Sequence, residues 1–236
     1  MSRFSLLFLL ALAVAAVLFF SFNFNAGNNN SVLQKENGDD FKLPEPDLAG
    51  RLSLEEAIYQ RVSRRSFTSE SLALEELSQI LWAGQGIGID GVTGASRTAP
   101  SAGATHPMHI MVIAGNVEDL PAGVYIYDFA KHNLNLIVEG DYRDELAAAA
   151  LSQDFIADAP AALVLTASYE RTTDRYGERG IRYVHIETGH ITQNVCLQAE
   201  ALGLGSVAIG AFEDLSLQKL LQIEADPLMI IPVGNI

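Results

Sequence analysis

The sequence predicts an α+β domain in three layers, α/β/α, with a mixed, mainly antiparallel central sheet flanked by helices. Three observations carry this. Helix and strand patterns interleave from residue 53 onward without the strict βαβ alternation of a doubly wound sheet. The apolar runs at 123–127 and 134–138 are separated by a turn around His132-Asn133, which reads as a hairpin. A long helical stretch from about Ile181 to Leu202 is apolar on more than one side, which places it centrally and suggests burial against a second subunit.

Each element has a local cause. Ser53-Leu54-Glu55-Glu56 is a capping box, and Leu54, Ile58 and Val62 recur at four-residue spacing along one face of the helix it starts. A second helix carries Leu74, Leu77, Ile80 and Leu81 and stops at Gly84-Gln85-Gly86. Strands follow at 109–114, 123–127 and 134–138, and Asp141 and Asp144 introduce a helix through Ala147–Ala150. Pro160 precedes the apolar strand Ala161 to Ala167. The long helix ends at Gly203, placed as a C′ glycine. A strand at 205–210, a helix near 216–222 and a strand at 228–233 complete the chain.

The formal charge of −14 argues against nucleic acid as a partner, because phosphate backbones are bound by clustered Lys and Arg. The single cysteine, Cys196, excludes an intrachain disulfide framework and a thiolate zinc cluster, and its apolar helical setting reads as a buried, inert thiol. His106 and His109 flank the start of a strand with their rings directed to opposite faces, so no metal site is expected.

Residues 1–23 read as an N-terminal transmembrane anchor. Phe4 to Phe22 is uncharged and mostly apolar, and nineteen helical residues span roughly 28 Å, close to a bilayer core. A cleaved signal peptide is the alternative, although Phe24-Asn25-Ala26 is a poor cleavage site. Arg3 before the run puts the N-terminus inside and the catalytic domain, 51–236, outside the cytoplasm. Residues 24–50, rich in Asn, Gly, Asp and Pro, read as a flexible linker, with a formal glycosylation sequon at Asn29-Asn30-Ser31.

Three segments carry the chemistry. Arg64-Arg65-Ser66 follows the first helix; planar guanidinium groups beside a hydroxyl suit a phosphate, while two solvated arginines at a helix end are the plain alternative. Pro100-Ser101-Ala102-Gly103, preceded by Arg97 and followed by His106-Pro107, is a run of small residues at the mouth of a strand, against which a flat ring can lie. Gly203-Leu204-Gly205-Ser206-Val207-Ala208 matches G-x-G-x-x-A in letters, but its order is helix then strand, which rejects the dinucleotide fingerprint. Within the long helix, Glu187-Thr188-Gly189-His190 places a glycine that costs about 1 kcal/mol against alanine, so either a ligand or a close helix contact requires it.

Taken in order, these segments resemble the FMN site of the nitroreductase family, and the Pro-Ser-Ala-Gly form is most similar to its SagB-type branch, the azoline dehydrogenases. The resemblance covers roughly residues 55 to 235. It implies phosphate contacts from Arg64, Ser66 and then Arg65, and contacts to the isoalloxazine from Pro100, Ser101, Ala102 and Gly103. It puts Glu187 and Gly189 near flavin N5, with Gly205 and Ser206 also near the cofactor. It further implies a basic residue and a tyrosine beside the substrate, for which Arg175-Tyr176 and Arg182-Tyr183 both qualify. Tyr176 or Tyr183 is the better proton carrier, since an arginine holds its proton at all ordinary pH.

The implied protein is an FMN-dependent oxidoreductase that moves a hydride between flavin and a small organic or peptide-derived substrate, working as a homodimer with shared flavin sites. A tethered flavin-binding module without turnover, or an NAD(P)H-dependent nitro or quinone reductase, are the alternatives. Two positions depart from the family pattern: Thr68 and Asn235 stand where basic residues often reach the phosphate, which implies weaker FMN retention.

Overall fold

Seven strands form one sheet: β1 (Asp40–Lys42), β2 (Met108–Ala114), β3 (Gly123–Asp128), β4 (Asn133–Glu139), β5 (Ala161–Ala167), β6 (Gly205–Ser206) and β7 (Asp226–Gly234). Their spatial order is β1-β4-β3-β2-β5-β7-β6, and every pairing between them is antiparallel, so the expected mixed character resolves to a purely antiparallel sheet. β2 and β5 form the centre, from Met108 opposite Ala167 to Ala114 opposite Ala161. The structure is a computed structural model that describes residues 40–89 and 97–236, all within one unit running from Lys35 to Ile236.

Alternation along the central strands feeds two cores. Ile110 and Val112 of β2 and Leu163 and Leu165 of β5 face one side, where they meet helices α2 (Leu74–Gln85) and α6 (Arg179–Ala201) through Ile80, Leu81, Val184, Ile191 and Val195. Met111, Ile113 and Val164 face the other side, against α3 (Arg143–Ala149), α4 (Phe155–Asp158) and α7 (Asp214–Leu221). This is the expected three-layer arrangement.

Helix α1 (Leu54–Gln60) begins at the expected capping box: Ser53 Oγ accepts from the Glu56 amide at 3.2 Å, and Glu56 Oε2 accepts from the Ser53 amide at 3.1 Å. Its burial differs from expectation. Ala57 is the buried residue, whereas Leu54, Ile58 and Val62 are 62, 57 and 49% exposed. The four-residue apolar period is real, but nothing within the described chain covers it. Gly203, at φ +79, ends α6 as expected, and β6 is shorter than the predicted strand, with Ile209 adding only one further bridge to Ile230.

Two N-terminal expectations are corrected. The linker does not extend to residue 50, because β1 pairs with β4, Leu43 is 2% exposed, and Asp47 exchanges hydrogen bonds with Gln79 at 2.8 and 2.9 Å. Alternating apolar Phe41 and Leu43 are enough to dock an otherwise polar strap. Leu43→Ala is expected to lower stability by about 2 kcal/mol in urea unfolding; an unchanged midpoint would show that the strap does not contribute to the fold. Residues 1–39, including the segment 4–22 read as an anchor, lie outside the described residues. Among the described residues no helix is long and apolar enough to cross a membrane, so the membrane-anchored, extracytoplasmic placement is withdrawn.

Candidate active site

Helix α6 positions the site, because side chains along its length reach both candidate segments. Near its C-terminal end, Glu200 pairs with Arg64 at 3.5 Å, and the Cys196 thiol hydrogen-bonds the Ser206 hydroxyl. Further back, Asn194 Nδ2 donates to the carbonyls of Ala83 and Thr98 at 3.1 and 3.2 Å, and Glu187 hydrogen-bonds Ser101. Glu187 and Glu200 are separated by roughly 20 Å of helix axis.

At the first end, the Arg64 amide donates to the Ser206 carbonyl at 3.0 Å, and Ser63 bridges in parallel to Ser206. Gly205 lets this approach happen: a Cβ there would stand 3.2 Å from Arg64 Cβ and collide with the Ile236 side chain. Arg64 Nε is buried with no hydrogen-bond partner, an open donor on a half-buried guanidinium. Arg65 and Ser66 are exposed beside it. Ser206 is buried, so it supports the segment through its main chain and offers no exposed hydroxyl. Asn235 is committed elsewhere: its Nδ2 donates to the Ser71 carbonyl, and its own carbonyl accepts from the Thr68 amide, both at 2.9 Å.

At the second end, Pro100 to Gly103 enter a short 3₁₀ turn, Ala102–Ala104. Gly103 (φ +58), Ala104 (φ +54) and His106 (φ +45) are all left-handed, a costly run for the two that carry side chains. Surrounding contacts enforce it. The His106 amide donates to Ser101 Oγ at 2.9 Å, and Thr105 Oγ1 meets both the Ala102 carbonyl, at 3.0 Å, and Thr172 Oγ1, at 2.8 Å. Thr172 belongs to α5 (Glu170–Tyr176), a helix with no apolar period and none expected.

Of the two candidate Arg-Tyr pairs, Arg175-Tyr176 meets the loop. Arg175 Nη1 donates to the Gly103 carbonyl at 2.9 Å, and the Tyr176 hydroxyl lies where a Gly103 Cβ would be. Tyr183 packs edge-on against Tyr176, with ring centroids 5.1 Å apart, and Arg182 is exposed on the first turns of α6. Gly189 is exposed with nothing within 4 Å of its Cβ position, so close packing within this chain does not explain it. It leaves an open helix surface two residues from Glu187.

Beneath the loop is a polar cluster that sequence reasoning missed. Glu187 is 3% exposed, and burial pushes its carboxyl up to about 7 against the pull of Ser101, Arg97 and Arg171. Burial, with Arg171 and Arg97 nearby, pushes His109 down to about 4, so it is neutral at physiological pH. Arg97 lies 3.4 Å from the Phe129 ring centroid, and burial lowers it to about 10. The signal for Arg97 is its place just before the loop; Asn194 and Arg171 carry none. A cavity of about 440 Å3 lined by residues including Thr68, Asn116, Arg143 and Asp158 shares none of these groups, and its arginine is engaged by Asp141 and the Ala159 carbonyl.

Residues 58–235 match the family described as the Nitroreductase family. A Methanocaldococcus jannaschii protein that carries the nitroreductase name is 44% identical over 198 residues, covering 84% of this chain and 98% of that one. The trifolitoxin operon protein TfxC of Rhizobium leguminosarum bv. trifolii is 26% identical over 81% of this chain and 57% of its own. A crystal structure from Ralstonia eutropha, also named for the nitroreductases, superposes with a TM-score of 0.73 at 28% identity, covering 86% of this chain and 92% of that one.

Proposed function

We propose, since the chain belongs to the nitroreductase family and is an oxidoreductase, that it binds FMN between the Arg64 segment and the Pro100–Gly103 loop. It would exchange a hydride with a small organic or peptide-derived substrate, as a SagB-type dehydrogenase. The observation that supports this most is the single helix that carries contacts to both segments, with an open donor at Arg64 and a bare surface at Gly189. The peptide option draws on the likeness to TfxC.

These residues fit the cofactor. Arg64, with Arg65 and Ser66 beside it, would hold the phosphate, an anion for which an arginine fork is suited. Pro100 to Gly103 would support the ring, the absent Cβ of Gly103 keeping the backbone low. Bound FMN would supply the hydride chemistry, and the protein the positioning and the proton. Tyr176 stands at the loop with Arg175 anchored beside it, so its hydroxyl would deliver or accept the proton at the substrate. Tyr183 holds that ring edge-on.

A second copy of the chain would cover the exposed apolar residues Leu54, Ile58, Tyr59 and Val62 at α1 and Ile186 on α6, making a homodimer.

Arg64→Ala tests the assignment. Loss of a charge-assisted phosphate contact is worth about 1.5–3 kcal/mol, so FMN is expected to bind roughly 10–100-fold more weakly by fluorescence titration. Unchanged affinity overturns the phosphate assignment. A wild-type chain that binds no FMN overturns the cofactor reading.

A further inference from the structure

We propose that the mouth of this site is built for an anionic ligand, a substrate bearing a carboxylate that Arg171 and Arg175 of α5 receive. The proposal rests on reading the Pro100–Gly103 loop as the platform of the active site. The chain carries a net charge of −14, yet the side chains that gather at this loop are cationic. Arg97 lies beneath it, Arg175 donates to the Gly103 carbonyl, and Arg171 stands close enough to repel Arg97 and to depress the His109 imidazole. Among the described residues none of these three arginines forms an ion pair with a carboxylate, although the chain has 29 acidic residues.

One acid faces the cluster, Glu187, and it is buried, bonded to Ser101 and held up near neutrality. It supplies at most a partial counter-charge. His109, on β2, is neutral and hydrogen-bonded to Ser168 at 3.3 Å, and the Tyr127 phenol, on β3, is raised by burial and stays protonated. The local charge therefore remains at two or more positive. A cationic cluster without a counter-ion is unfavourable in the free protein, and an entering anion relieves it.

The geometry gives the anion a place. Arg171 and Arg175 are one helical turn apart on α5 and both exposed, so their free N–H groups face solvent on one side. Glu170 and Asp174 precede them by one residue each, about 100° around the helix. Glu170 is close enough to Asp226 to raise that carboxyl. Arg175 is tied by Nη1 alone, which leaves its remaining donors for a carboxylate. Gly103 makes this possible, since a Cβ there would lie 2.7 Å from Arg175 Nη1.

The test is calorimetric titration of the full chain, with and without saturating FMN, using 4-nitrobenzoate and its neutral isostere 4-nitrobenzamide. With FMN bound, the benzoate is expected to bind at least 10-fold more tightly, with the preference falling below 3-fold in R171Q/R175Q and in 0.5 M salt. Because both arginines are exposed, the double variant is expected to keep its melting temperature and its FMN affinity. Equal affinities for the two probes in the wild-type chain overturn the proposal, and so does a preference that survives in the double variant. FMN binding without benzoate preference sinks the anion site alone. Benzoate preference that depends on the two arginines, in a chain that never takes up FMN, supports the anion site and sinks the flavin reading.

Discussion

Replacing Tyr176 by phenylalanine is expected to slow turnover of the FMN-loaded protein by about 10²–10⁴-fold while leaving FMN affinity unchanged. The substitution removes one oxygen and keeps the ring that packs edge-on against Tyr183 and lies 5.4 Å from the Arg175 guanidinium carbon. The loop contact made by Arg175 is main-chain on the Gly103 side, so it survives. What disappears is the hydroxyl at the Gly103 position, the group assigned to proton transfer. The loss should fall on kcat rather than on KM, and the alkaline limb of the pH profile should vanish with it. Tyr183→Phe serves as the comparison, with a smaller effect through the packing of its neighbour. Equal losses in the two variants, or none in Tyr176→Phe, would remove Tyr176 from the chemistry.

Glu187→Gln is expected to leave stability unchanged near pH 4.5 and to raise it by up to about 3 kcal/mol at pH 7.5 and above. The sign follows from where the proton resides. The folded carboxyl gives up its proton near 7, the unfolded one near 4.5, so across that window the folded chain binds more protons and loses stability as pH rises. Glutamine imitates the protonated form and can still bond Ser101, so it escapes this loss. His109 acts in the opposite sense: its folded value near 4 lies below the usual 6.5, and its contribution is lost as pH falls through that range. Between about 4.5 and 6.5 the two slopes offset, giving the wild type a flat profile that the variant breaks. Urea unfolding of both chains at pH 4.5, 6 and 7.5 measures the difference. Parallel profiles would mean that Glu187 titrates normally and is not desolvated.

The central sheet was legible because β2 and β5 are buried on both faces and read as unbroken apolar runs, with Pro160 marking the start of the second. The capping box and Gly203 fixed helix ends through local backbone needs. The strap at 40–47 was hidden by its composition: Asn, Gly, Asp and Pro surround just two apolar anchors, Phe41 and Leu43. Helix α5 was hidden for a related reason, since Glu170 to Tyr176 buries only Thr172 and is placed by contacts with the loop rather than by an apolar stripe.

At the site, Arg64, Ser101, Gly103 and Tyr176 stood out as residue types suited to a cofactor. Asn194 did not, because an amide inside an apolar helix has no distinctive signal until the Ala83 and Thr98 carbonyls are seen to converge on it. Choosing between Arg175 and Arg182 needed three dimensions: the two lie seven residues apart, and only the turn at Gly177 (φ +57) decides which reaches Gly103.

Stringing the contacts to both segments along α6 fixes its length as well as its sequence. One residue added between positions 187 and 200 would advance the far half by about 1.5 Å and swing it by about 100°. Glu187 and Asn194 could then keep their loop only if Cys196 and Glu200 released theirs. The helix acts as a gauge block between two ends of one ligand, and drift in this lineage has to proceed by exchanging its side chains, with insertion and deletion displaced to the connections outside it.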